Sequence, residues 1–156
     1  MNGRLNLFAS PVAVKAWKHI IAAGKALGDS TLPAATRELV MLRASQINGC
    51  AACIDMHTKE AAAAGETDLR LHLVVAWREA TVFTDAERAA LELTEEATRI
   101  ADAAGGVSDE VWANAAKHYD EDQLAALVTQ IAVINAFNRG NVIIQQPAGG
   151  YEVGQH

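Results

Sequence analysis

Several things are scarce in this chain at once. Aromatic residues are 5% of 156 positions, prolines number 3 and cysteines 2, and no basic run offsets a formal net charge of −6. Without a basic patch, neither nucleic acid nor an anionic membrane surface is expected as a partner. No apolar run approaches the roughly 18 residues that a membrane span needs. Residues 1–10 lack the basic region, apolar stretch and cleavage site of a secretory signal. The expectation is a cytoplasmic protein with no membrane association. Two cysteines are too few for a disulfide framework, and stable structural disulfides are rare in that compartment. Their presence therefore calls for a chemical reason.

Hydrophobic residues are 51% of the chain, and with so few aromatics this mass is mostly Ala, Val, Leu and Ile. Such a composition with few breakers favours helix. The length suits one domain, residues 1–156, with a real core. A mean hydropathy of +0.06 is high for a monomer of this size, so some apolar surface is expected to meet another copy of the chain.

The pattern reads as all-α, with no alternating strand. Ser10-Pro11 opens a first helix carrying Trp17, Ile20, Ile21 and Leu27 to about Gly28. A second runs from Pro33 to about Ile47, with Leu39 and Leu42 inward, and Asn48-Gly49 breaks it. A third runs from Cys50 to Gly65, and a fourth from Thr67 through Leu71, Val74 and Val75 to Arg78. Thr84 to Glu87 is a capping box opening a fifth, extended by Ile100 and Ala104 to Gly105-Gly106. Ser108 caps a short sixth helix. Asp120 to Gln123 opens the last, which carries Leu124, Leu127, Ile131 and Ile134 and ends near Arg139-Gly140. The Gly-rich tail, about 147–156, is expected to be loose or to lie on a partner. The domain is thus an antiparallel helical bundle with short turns.

The chemistry concentrates between Glu38 and His57. Cys50 and Cys53 form C-x-x-C, His57 follows four residues on, and Glu38 precedes Cys50 by twelve. After the Asn48-Gly49 turn, Cys50 falls in the first turn of a new helix, where free N–H groups and the helix dipole stabilise a thiolate. At i and i+3 the two Cβ atoms would lie roughly 5–6 Å apart, whereas a disulfide wants about 3.5–4.5 Å. The first turn must tighten to close the bond, which suits a cycling pair better than a permanent staple. Helical side chains lean toward the N-terminus, so His57 is directed back over Cys53. Counted from the turn at about 1.5 Å per residue, Glu38 and His57 lie at nearly the same depth in an antiparallel helix pair. Glu38 can then fix the imidazole tautomer and raise its basicity.

Blander readings exist. The pair could be two core cysteines. Cys50, Cys53, His57 and Glu38 could instead supply a zinc site, although structural zinc sites usually use separate knuckles and no second Cys pair is present. A thioredoxin-type site needs a βαβ setting that the pattern lacks.

These residues resemble the alkylhydroperoxidase D-like (AhpD-like) branch of the carboxymuconolactone decarboxylase superfamily, whose pattern is E-x11-C-x-x-C-x-x-x-H. Glu38, Cys50, Cys53 and His57 match it. So do the words Arg37-Glu38-Leu39, Ser45-Gln46-Ile47-Asn48-Gly49-Cys50 and Asp55-Met56-His57-Thr58-Lys59-Glu60. Ala76-Trp77-Arg78-Glu79, Phe83-Thr84 and residues 134–139 also look familial, and the resemblance is densest over about 33–90. It implies an all-α fold, trimers or hexamers, and thiol-dependent peroxidase activity. Cys53 would be the peroxidatic thiol, Cys50 the resolving one, and His57 with Glu38 the proton relay. Decarboxylase members lack the Cys pair, so lactone decarboxylation is not implied. One departure stands out: the best-known peroxidases of this branch carry a His between the cysteines, and here Ala51-Ala52 stand there.

The expected substrate is a hydroperoxide. The expected reductant is an external dithiol, such as a lipoyl group or a thioredoxin-like protein, with no metal or organic cofactor. The alternative is an oligomeric disulfide-exchange or redox-sensing protein with little peroxidase activity. Elsewhere, His19 and His72 read as structural or solvated, His118 as a helix-end residue complementing the dipole, and Trp17, Trp77 and Trp112 as packing or interface residues. Asp55 and Met56 point to other faces of their helix, and Lys59-Glu60 reads as a solvated face. Asn135, Asn138 and Arg139 are polar on an otherwise apolar helix and need partners, either across a subunit interface or near the redox seam.

Overall fold

The computed structural model describes residues 3–155, and every regular element among them is helical. Seven α-helices follow in order: α1 (Pro11–Ala26), α2 (Ala34–Asn48), α3 (Ala51–Ala63), α4 (Asp68–Leu73), α5 (Asp85–Thr98), α6 (Asp109–Ala115) and α7 (Glu121–Ile144). The expected caps form. Ser10 and Ser108 accept from the amides of Ala13 and Val111, and Thr84/Glu87 and Asp120/Gln123 close reciprocal capping boxes.

Helix α2 is the centre of the fold, packed against α3, α5 and α7. It buries Leu39, Val40, Leu42, Arg43, Ala44 and Ser45 on several faces, as a helix surrounded by others must. On one side Val40 joins Leu93, Val111, Leu127 and Ile131. On another Leu39 and Leu42 meet Ala61, Leu71, Trp77, Phe83 and Leu91. Arg43, 8% exposed, is neutralised by Glu95, which also accepts from Trp77 Nε1 at 3.0 Å and Arg78 at 3.1 Å.

Three boundaries differ from the sequence expectation. The fourth helix stops at Leu73 and tightens into a 3₁₀ turn over Val74–Ala76. Arg88 then donates to the carbonyls of Trp77, Arg78 and Ala80 at 2.8–2.9 Å, so the chain needs no helix there to satisfy them. Helix α5 ends at Thr98 rather than near Ala104. Ile100 is 56% exposed, so no burial rewards a longer helix. The third difference is Gly140, which is not a stop: α7 continues through it to Ile144. A Cβ at Gly140 would lie 2.5 Å from the Trp17 ring, so this glycine lets α1 approach α7. Trp17 and Phe137 seal that contact, their ring centroids 5.5 Å apart.

The tail also differs. Rather than being loose or resting on a partner, it returns along α3 of its own chain. Asp55 accepts from the amides of Gly149 (2.6 Å) and Tyr151 (3.2 Å), Lys59 donates to the Tyr151 carbonyl (2.9 Å), and Glu60 takes the Tyr151 hydroxyl and the Gly154 amide. Lys59-Glu60, expected to be a solvated face, is thus a clasp. Loss of solvation, with the Glu60 carboxylate alongside, pushes the Tyr151 phenol up to about 12. The Lys59 ammonium holds the Asp55 carboxyl below its ordinary value. No helix among the described residues is long and apolar enough to cross a membrane.

Candidate active site

The site grows from the turn between α2 and α3. Gly49 closes α2 in the left-handed region (φ 65°, ψ 30°). Its amide donates to Gln46 and the Cys50 amide to the Ser45 carbonyl at 2.9 Å, the two bonds of a Schellman motif. This turn reverses the chain and sets Cys50 at the N-cap of α3, with φ −82° and ψ 89°. The sequence expectation put Cys50 inside the first helical turn, which would have to tighten. Instead Cys50 stands just outside the helix, and its non-helical backbone brings it to Cys53. The two form a disulfide with Cα atoms 5.4 Å apart. Both cysteines are at most 1% exposed and pack with Ala44 and Ile134 as a small cluster. The N-terminus of α3 has no side-chain cap and no acidic residue in its first turn. Its dipole and free amides therefore remain available to a negative sulfur.

One turn beyond Cys53, His57 is 7% exposed. Its Nδ1 lies 3.0 Å from Glu38 Oε2 across the α2–α3 seam, where depth counting along the two helices puts it. A carboxylate only accepts, so Nδ1–H donates and Nε2 of a neutral ring keeps its lone pair. That Nε2 is buried with no hydrogen-bond partner among the described residues. Glu38 keeps a quarter of its side chain exposed and borders a second, smaller cleft of about 310 Å³ with Glu60, Ala61 and Glu66. The carboxylate thus joins the buried imidazole to solvent, away from the cysteines. The four residues singled out by spacing form two pairs on this seam, Glu38 with His57 and Cys50 with Cys53, with His57 one turn beyond Cys53 on α3. Among the described residues no group of three or more His, Cys, Asp or Glu side chains converges as a metal-binding cluster.

A wider cleft of about 530 Å³ opens at the other end of the seam. Gly49, Cys50, Ala51 and Ala52 line one wall, and Asn141, Val142, Gln145 and Gln146 the other. Cys50 borders it; Cys53 does not. Ala51 and Ala52 are part of this wall and leave it small and uncharged there.

Two polar features on α7 complete the site. Asn138, fully buried, donates to Ser45 Oγ at 3.0 Å and accepts from Asn48 at 2.9 Å. Asn135 also accepts from Asn48 at 2.9 Å and donates to Thr98 at 3.1 Å. These asparagines therefore hold the end of α2 from within one subunit. Arg139 reaches back to Asn135. The second feature escaped the sequence reading: Asn141 Nδ2 lies 3.3 Å from Cys53 Sγ. The signal was there, since 135, 138 and 141 form an asparagine stripe of period three along α7. His19, His72 and His118 are exposed.

The chain is similar to several known proteins. The model of the carboxymuconolactone decarboxylase family matches residues 11–96. Uncharacterized protein YdfG of Bacillus subtilis is 46% identical over 110 residues, covering 70% of this chain and 74% of that protein. Uncharacterized protein YnjA of Escherichia coli is 31% identical over 121 residues, covering 78% of this chain and 65% of that one. Among solved structures, ATU0492 of Agrobacterium tumefaciens superposes with a TM-score of 0.87 at 32% identity. It covers 96% of this chain and 100% of its own, and is a protein of unknown function proposed as an antioxidant defence protein AhpD. Matched by this family model over more than half of its length and by ATU0492 in sequence and in shape, the chain belongs to the AhpD-like branch of the carboxymuconolactone decarboxylase family.

Proposed function

We propose that this protein is a thiol-dependent peroxidase that reduces hydroperoxides through Cys53 and Cys50. The observation that carries the reading is the Glu38–His57 hydrogen bond at 3.0 Å beside a cysteine pair able to form a disulfide. A neutral imidazole with a free, buried Nε2 one turn from Cys53 suits a general base for a thiol.

In the proposed cycle His57 takes the Cys53 thiol proton. The thiolate attacks one peroxide oxygen, the O–O bond breaks, and the alcohol or water leaves with a proton returned by the relay. Cys53 is then a sulfenic acid. The Cys50 thiol displaces water from it to give the disulfide seen here. An external dithiol, such as a lipoyl group or a thioredoxin-like protein, restores both thiols, and no resident cofactor takes part. Residues such as Phe8, Val12 and Ile143, at 65%, 80% and 68% exposure, support assembly into a homo-oligomer.

The test is peroxide consumption by the purified protein with a dithiol donor. Wild type should turn over, Cys53→Ser should not, and Cys50→Ser should stop at a sulfenic acid trapped by dimedone. Full activity of Cys53→Ser sinks the reading. Rapid dithiol–disulfide exchange without peroxide consumption establishes the disulfide-exchange reading instead.

A further inference from the structure

Asn141 on α7 lies across the seam from the cysteine pair, its Nδ2 3.3 Å from Cys53 Sγ. A disulfide sulfur, like a thiolate, can only accept. The amide must therefore present its N–H₂ to the sulfur rather than its oxygen. The placement is well determined by its surroundings. Asn138, one turn earlier on the same face, is fully buried and bonded to Asn48 and Ser45, so α7 is pinned to the end of α2 at this level. The Asn141 carbonyl accepts the Gln146 amide at 2.9 Å, closing α7 just beyond. Asn141 also lines the 530 Å³ cleft, which Cys50 borders and Cys53 does not.

Two chemically different sulfurs result. Cys50, 1% exposed, borders the cleft. Cys53 is held inside, between the amide of Asn141 and the turn that carries His57. We propose that Asn141 is a catalytic residue that stabilises the Cys53 thiolate. It would do so both before peroxide attack and during reduction, when Cys53 is the leaving sulfur. In the reductive step a thiolate of the incoming dithiol attacks Cys50 Sγ from the cleft. The new S–S bond joins donor and Cys50, the Cys50–Cys53 bond breaks, and its electron pair stays on Cys53. The donor's second thiolate then attacks its own sulfur in that mixed disulfide and releases Cys50, leaving the donor oxidised. A hydrogen bond to the anion lowers its free energy, and a more stable leaving thiolate departs faster. The other ionisable groups on the seam are His57, one turn further along α3, Glu38, bonded to it from α2, and Cys50 itself once the disulfide is reduced. α7 offers an uncharged amide, and the cleft lining has no charged side chain.

The assignment rests on the proposed thiol chemistry but is tested without peroxide. In full-length Cys50→Ser, the thiolate absorbance of Cys53 near 240 nm is followed against pH. Adding Asn141→Leu should raise the midpoint by about one pH unit. Asn141→Asp, nearly the same shape but with acceptor oxygens in place of the donor, should raise it further. In the chain with both cysteines, either substitution should slow reduction of the disulfide by dithiothreitol several-fold. Should the leucine variant fail to fold, the aspartate variant carries the test. A midpoint within about 0.3 unit of the parent in the folded variants overturns the proposal. Absence of peroxidase activity with the expected shift overturns the peroxidase reading and leaves the role of Asn141 standing.

Discussion

His57 and Glu38 lie nineteen residues apart in sequence and meet at 3.0 Å, Nδ1 to Oε2, across the seam of α2 and α3. The carboxylate fixes which imidazole nitrogen is protonated and leaves the lone pair on Nε2. Glu38→Gln keeps an oxygen acceptor but loses the charge that stabilises an imidazolium. His57→Gln removes the base itself. Peroxide kcat/KM should fall about tenfold in the first variant and about 100-fold in the second, with unchanged circular dichroism. Equal activity in wild type and His57→Gln would remove the relay from the mechanism.

Asn138 is expected to carry stability rather than chemistry. Asn138→Leu keeps the branched shape, with bulkier methyl groups, but leaves Ser45 and Asn48 each short of a partner inside the protein. Urea denaturation should show a loss of about 2 kcal/mol. A stability equal to wild type would mean that those groups find other partners.

Gly140→Ala separates local preference from tertiary packing. In an isolated helix the change would stabilise by about 1 kcal/mol. Here the new methyl would meet the Trp17 ring at 2.5 Å, so a net loss of about 1–3 kcal/mol is expected. The Trp17 near-ultraviolet signal should change with it, and Trp17→Leu should relieve the penalty. A stabilised Gly140→Ala protein would contradict the close approach of α1 and α7.

Glu95 gives the fold an acid-side dependence. Burial pushes its carboxyl up, but Trp77 Nε1–H, Arg43 and Arg78 outweigh this and hold it below its ordinary value of 4.5. A group depressed on folding stabilises the native state above its unfolded value, and that contribution fades as pH falls through the depressed value. Glu95→Gln should therefore cost about 3 kcal/mol near neutrality, since it leaves the buried Arg43 charge uncompensated. The gap to wild type should narrow as pH drops below about 4.5. A gap that stays constant down to pH 3 would show that the charge of Glu95 is not what matters.

The sequence by itself determined the helical class, the caps and the four spaced site residues, because these are local facts. Caps depend on side chains within three positions. Glu38 and His57 could be matched by counting because one short turn, closed by Gly49, joins two rigid helices of fixed rise. What tertiary structure decided involves contacts between distant segments. Gly140 looked like a helix end, yet α7 runs on because Trp17 of α1 needs its missing side chain. Lys59-Glu60 looked solvated because nothing nearby announces that residues 149–154 return to α3. Asn141 looked ordinary because its partner, Cys53, is 88 positions away and is brought within reach only by the packing of α7 on the seam. Helical spacing determined which residues could share a face, but the packing of one helix on another decided which sulfur each face would serve.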